Sequence, residues 1–196
     1  YAVAYRGHRS LGHYQHSLSG VSQLRFSAWY ENPNRRYRLR FKLANQKIEQ
    51  QENGGLDSLS LKNFTDKIAE FEDRTRLSVK FQNAANLFTG KRYLLEQDYA
   101  LLMTTDSISV PALRIGHRVG TDSQRHHFNQ DSVVEELGAL VEESTTPNDE
   151  LHYTSTRHDV YAVFEKSKWG EVEAYGSALK SVSYTHLTLP TTLYVE

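Results

Sequence analysis

Residues 23–30 alternate between apolar and polar positions. Leu24, Phe26, Ala28 and Tyr30 fall on one side, and Gln23, Arg25, Ser27 and Trp29 on the other. Residues 37–43 repeat the pattern, with Tyr37, Leu39, Phe41 and Leu43 opposite Arg38, Arg40 and Lys42. Side chains in an extended strand point to opposite faces with period two, so each run is a strand with one apolar and one cationic face. Between them Asn32-Pro33-Asn34 has the chemistry of a chain reversal, which makes the pair a hairpin.

Similar alternation predicts further strands. Over 93–102, Tyr93, Leu95, Tyr99 and Leu101 share one face and Glu96 and Asp98 the other. Over 112–128, Leu113, Ile115 and Val119 stand opposite Arg114 and Arg118. Shorter strands are expected at 159–165 and 171–179, and 1–6 reads as the end of a strand. The polar stretch 46–75 contains a turn at Asn53-Gly54-Gly55 and a helical pattern with Phe64, Ile68 and Phe71 on one side. A second helical pattern spans 132–143, with Val133, Val134, Leu137, Leu140 and Val141 in phase. Ser132 with Glu135 gives it a capping box. No internal repeat or low-complexity linker divides the chain, and six to eight strands are expected in one continuous piece of sheet.

Composition narrows the classes. The 196 residues carry 23 Lys+Arg against 24 Asp+Glu, for a net charge of −1. That balance removes the electrostatic case for nucleic-acid binding. No run approaches the roughly 18 apolar residues of a membrane helix. Cysteine is absent, which excludes a disulfide framework, a Cys-based zinc site and a thiol nucleophile. Mean hydropathy is low, at −0.62, yet there are 12 Tyr. The chain opens on Tyr1 and reads there as the interior of a longer protein, so the lack of a visible signal peptide says nothing about export.

Two architectures satisfy this pattern. A soluble sandwich or barrel buries the apolar face and shows the polar face to water. A transmembrane β-barrel turns the apolar face to lipid and the polar face to a watery lumen. The frankly charged polar faces, the long strands at low overall hydrophobicity, and aromatics near strand ends at Trp29, Tyr30, Tyr37 and Tyr93 favour the second. Those four residues are the expected interfacial girdle.

Several segments resemble the putative porins of the Bacteroidota outer membrane. They are the opening Tyr5-Arg6-Gly7-His8-Arg9-Ser10-Leu11-Gly12-His13-Tyr14, the Gln51-Glu52-Asn53-Gly54-Gly55-Leu56 element, 71–77, 86–101 and Arg114-Ile115-Gly116-His117. The resemblance covers most of 1–128, weakens over 129–181 and is absent beyond. It implies an all-β fold, an antiparallel transmembrane β-barrel, here part of one: an open curved sheet with long loops and one or two short helices. It implies passive transport of small solutes and transfers no binding residue. A different resemblance marks the tail: 182–192 is similar to a translated transposase-type sequencing adapter of the kind met in fragmentary metagenomic sequences. It implies that the barrel fragment is 1–181 and that 182–196 is no domain.

Arg25, Arg38, Arg40, Lys42, Arg114 and Arg118 are the expected lumen-facing residues, a cationic stretch of wall that would concentrate anions. Glu96 and Asp98 could pair with them across strands and blunt that preference. No metal site is expected. His126 and His127 would face opposite ways on a strand, His13 and His16 likewise, and no His-Glu-x-x-His occurs. No Gly-x-Ser-x-Gly elbow or phosphate-binding loop is present, and Gly116 and Gly120 read as bend or close-packing positions. The match of Asn63-Phe64-Thr65 to a glycosylation acceptor is a chance one in a bacterial protein. Glu135, Glu136, Glu142 and Glu143 line the second helical pattern, which is expected as a surface loop and otherwise as a plug.

The expected function is therefore a porin-like outer-membrane channel for passive diffusion of small solutes through a partly cationic lumen. The alternative is a soluble all-β periplasmic binding module. No enzymatic activity and no cofactor are expected. The expected partners are outer-membrane lipid and small solutes, with room for a homo-oligomer and none for nucleic acid.

Overall fold

The computed structural model describes residues 1–104, 111–130, 148–166 and 170–186. They form one antiparallel sheet of seven strands in the order β1 to β7, each hydrogen-bonded to its neighbours in sequence. The strands are β1 (Ala2–Ser10), β2 (Ser19–Glu31), β3 (Tyr37–Glu52), β4 (Ala84–Met103), β5 (Pro111–Gln130), β6 (Asn148–Lys166) and β7 (Gly170–His186). The sheet is an open meander with β1 and β7 as its edges, part of an antiparallel β-barrel. β7 runs on past Ser181, with Val182 opposite Thr154 and His186 opposite Glu150. The helical pattern at 132–143 lies outside the described residues.

The two ends of the sheet are unlike. At one end the links are 32–36, 104–110 and 167–169; at the other they are 11–18, 53–83 and 131–147. In the first turn, Arg35 takes a left-handed φ of 57°, and the Asn32 side chain accepts the Tyr37 N–H at 3.0 Å. The 53–83 loop leaves β3 through Gly54 and Gly55, at φ 64° and 87°. A Cβ on Gly54 would strike the Phe81 ring, so position 54 needs glycine for space as well as for backbone. Helix α1 (Ser58–Thr65) follows, N-capped by Asp57, which accepts the Ser60 N–H at 2.6 Å. Two 3₁₀ turns complete the loop, Ala69–Phe71 and Arg74–Arg76. Asp73 caps the second and accepts from the Thr75 N–H and hydroxyl at 3.0 and 2.7 Å. Those two bonds hold the exposed Asp73 carboxyl below its ordinary titration range.

This loop is tied to the 11–18 loop. Gln15 Nε2 donates to the Thr75 carbonyl at 3.0 Å, His16 Nε2 lies 2.7 Å from the Ala84 carbonyl, and Arg74 sits over the Tyr14 ring. Leu77 and Val79 are buried beneath it. Among the described residues, the buried hydrophobics are only Leu77, Val79, Ala84 and Ala100. Among the described residues the sheet has no sealed core; its large apolar side chains are exposed or half-exposed.

Candidate functional site

The register sorts the strand residues onto two faces. One carries Leu24, Phe26, Ala28 and Tyr30 on β2; Tyr37, Leu39, Phe41 and Leu43 on β3; and Tyr93, Leu95, Gln97 and Tyr99 on β4. It continues with Ile115, His117 and Val119 on β5, Val160, Ala162 and Phe164 on β6, and Val172, Ala174, Gly176 and Ala178 on β7. No Lys, Arg, Asp or Glu interrupts these runs. A charge on the lipid face of a barrel costs about 2–4 kcal/mol at the bilayer midplane for Arg or Lys, so a gap in charge across six strands is a strong constraint. The polar groups in the band and at its edge bond to one another. Tyr37 Oη donates to Gln97 Oε1 at 3.2 Å, and the stacked rings of His117 and His158 place Nε2 and Nδ1 3.3 Å apart.

The band runs obliquely to the strands. Leu24 is its last apolar residue on β2, and it lies level with Asn45, Lys91, Ser123 and Thr154 on the next four strands. On β6 the band has already ended at Val160, six positions along the chain from Thr154. Six residues are about 20 Å of strand, against about 19 Å for four inter-strand spacings. The implied tilt of about 45° between strand and band is that of strands in a transmembrane barrel.

The opposite face is charged. Arg25, Arg38, Arg40, Lys42, Arg114 and Arg118 all lie on it. Four of the six join a ladder across the sheet. Asp98, 3% exposed, accepts from Arg38 Nε at 2.9 Å and from Arg114 Nη1. Arg114, itself buried, donates through Nη2 to the Arg35 carbonyl at 2.9 Å and so pins the first turn to the wall. Glu96 takes Arg118 at 3.1 Å, Arg40 at 3.6 Å and the Tyr161 hydroxyl at 3.1 Å. Asp159 takes Arg157 at 2.8 Å and the Ser177 hydroxyl at 2.6 Å, with Arg118 at 4.0 Å. The ladder spans β3 to β7 and sets five guanidiniums, those of Arg38, Arg40, Arg114, Arg118 and Arg157, against three carboxylates. Arg25 and Lys42 stand apart from it and have no carboxylate partner among the described residues.

The expected pairing of Glu96 and Asp98 with these cations is what the structure holds. Asp159, Arg157 and Tyr161 went unnoticed in the sequence, although 157, 159 and 161 share one strand phase. The aromatic expectation needs one correction. Tyr30 and Tyr37, joined by Tyr99, edge the apolar band at the short-turn end, and Tyr93 lies towards its far edge. Trp29 is out of phase with Tyr30 by one residue, so the pleat puts it on the charged face opposite Arg40. It takes no part in the outward girdle. His126 and His127 fall on opposite faces, and among the described residues no group of three or more His, Asp or Glu could hold a metal ion.

A family model for putative porins matches residues 1–194. The chain belongs to the putative porin family. No curated protein and no solved structure matches it. The two-faced sheet and the unequal ends are thus features of a porin family member. No helix among the described residues is long and apolar enough to cross a membrane, which says nothing about crossing by strands. The family's match includes residues 182–194, over which β7 is described as far as His186.

Proposed function

We propose that this porin family member lies in the bacterial outer membrane as part of a closed barrel and carries small solutes by passive diffusion. The oblique apolar band supports this most strongly: an uncharged outward face crosses the strands at the angle that strands take in lipid. The short turns would lie on the periplasmic side and the long loops outside, the usual asymmetry of such barrels. The charged face then lines water. Open edges are not sustainable in hydrocarbon, so the edges of β1 and β7 must both be paired when the barrel closes. Lipid and small solutes are the partners of this reading, a homo-oligomer is compatible with it, and no cofactor, chemical step or nucleic acid enters it.

The lumen wall is cationic only in part. The ladder from Arg38 to Asp159 sets five guanidiniums against three carboxylates, and Arg25 and Lys42 add two cations with no carboxylate partner among the described residues. The sealed core that a soluble binding module needs has no counterpart in the described sheet, whose apolar face is exposed or half-exposed. Conductance tests the proposal. Full-length protein in a planar bilayer should give steps that grow in proportion to KCl concentration. A folded protein that never raises conductance would overturn the reading.

A further inference from the structure

On the charged face, two adjacent rungs cross β1 to β5. One reads Ala4, Arg25, Ala44, Arg92, Asp122, and the next Ala2, Ser27, Lys42, Leu94, Gly120. Arg25 and Arg92 therefore flank Ala44 in one rung, with Lys42 one step below the gap. Two strand spacings, about 10 Å, separate the backbones of the two arginines, and the single methyl of Ala44 lies between them. The small side chains of Ala2, Ala4 and Ala44 leave a cavity of about 450 Å³ above the sheet; its surface is mostly apolar, and Arg25, Lys42 and Arg92 stand at its sides.

Its cations are less fully paired than those of the ladder. Arg92 donates Nε and Nη2 to the same Asp122 oxygen, at 3.0 and 2.6 Å, which leaves Nη1 free. Arg25 and Lys42 are unpaired among the described residues. Three cations and one carboxylate leave a net charge of +2 around the cavity. A guanidinium offers a carboxylate two parallel N–H donors, whereas a lysine supplies a point charge. The Arg25 fork and the free Nη1 of Arg92, on either side of a gap with a lysine beside it, suit an anion that has a carboxylate at each end.

We infer that Arg25, Arg92 and Lys42 form a binding subsite for small dicarboxylates in the wall of the channel. This rests on the proposal that the charged face lines water in a pore. The ladder below it would hold the strands in register, each of its arginines already engaged by a carboxylate.

The experiment uses full-length protein in planar bilayers, with succinate as the dianionic probe and acetate as the monoanionic control, each added to constant KCl. Succinate should reduce the KCl current at a concentration about tenfold lower than acetate does. The double variant Arg25→Gln/Lys42→Gln should weaken the succinate effect by about tenfold or more and reduce the preference for chloride in a KCl gradient. Lys47→Gln removes one charge on the opposite face and should change neither. Heat-modifiable migration on gels checks that each variant folds. Isotope-labelled succinate binding to the folded protein in detergent, read by NMR, provides a measure independent of conductance. Binding that the double variant abolishes, in a protein that conducts nothing, would uphold the subsite and overturn the pore. Normal conductance with equal succinate and acetate effects, or a succinate effect that survives the double variant, would overturn the subsite and leave the pore standing.

Discussion

Gly116 on β5 lies beneath the phenol ring of Tyr161 on β6. The two are register partners on the charged face, and a Cβ at 116 would overlap the ring. Because the space is empty, Tyr161 leans across β5 and donates its hydroxyl to Glu96 on β4 at 3.1 Å. One missing side chain thus lets one aromatic cover three strands, with the Arg118 guanidinium 5.8 Å above the same ring. A ring laid over a strand glycine restores packing that the glycine alone would lose. Gly116→Ala should therefore destabilise the folded barrel by about 1–3 kcal/mol, the cost of overpacking. Tyr161→Phe, which loses only the bond to Glu96, should cost about 0.5–1.5 kcal/mol. Urea unfolding in lipid vesicles measures both. Equal stability of Gly116→Ala and the parent would mean that the ring does not occupy this place.

Asp98 holds two arginines, one of them buried. Asp98→Asn leaves Arg114 without a counter-charge in a place with little water, a loss of about 3–5 kcal/mol when one partner of a buried pair is removed. Arg40→Gln breaks a looser contact, 3.6 Å from Glu96 with the arginine side chain 43% exposed, and should cost under about 1 kcal/mol. Unfolding midpoints of the two variants should differ in that order. In variants that still fold, Asp98→Asn should also shift the reversal potential in a KCl gradient towards chloride, because it adds one positive charge to the wall.

The 3₁₀ turn at Arg74–Arg76 offers a pH test outside the strands. Its cap, Asp73, titrates below the ordinary carboxylate range because Thr75 donates to it twice. A carboxyl lowered on folding stabilises the fold above its unfolded value of about 3.9, and the contribution fades as pH falls through the lowered value. Protection of the Thr75 amide from hydrogen exchange should thus hold at neutral pH and fall off in that acid range. Asp73→Asn should remove this acid dependence. An acid dependence that persists in Asp73→Asn would place its cause elsewhere.

The sequence was most legible where strand and lipid would meet. Alternation over 23–30 and 37–43 located β2 and β3, Asn32-Pro33-Asn34 located their turn, and Asn53-Gly54-Gly55 located the exit from β3. The strands extend beyond their alternating stretches. β3 continues to Glu52, and β4 begins at Ala84 rather than Tyr93. Past the band edge both faces are polar, as in Asn45, Gln46, Lys47, Glu49 and Gln50, so the period-two signal vanishes while the hydrogen-bond ladder runs on. Register was also hidden. Arg38 meets Asp98 across sixty residues of chain, and no local pattern reveals which carboxylate faces which guanidinium. Trp29 is the opposite case: it lies near a strand end, but its phase puts it on the charged face opposite Arg40.

The central claim is that the two faces of one sheet meet two different solvents, and β3 tests it directly. The chain has no cysteine, so each introduced thiol reports alone. Leu39→Cys, Phe41→Cys and Leu43→Cys should resist a membrane-impermeant thiol reagent in liposomes, and a fluorophore attached there in detergent should be quenched by brominated lipid. Arg40→Cys, Lys42→Cys and Ala44→Cys should react with the reagent and escape the quencher. Alternating water and lipid contact along six consecutive residues is the predicted result. Outer positions that neither react nor meet the brominated lipid would show a sealed protein core there and contradict the account.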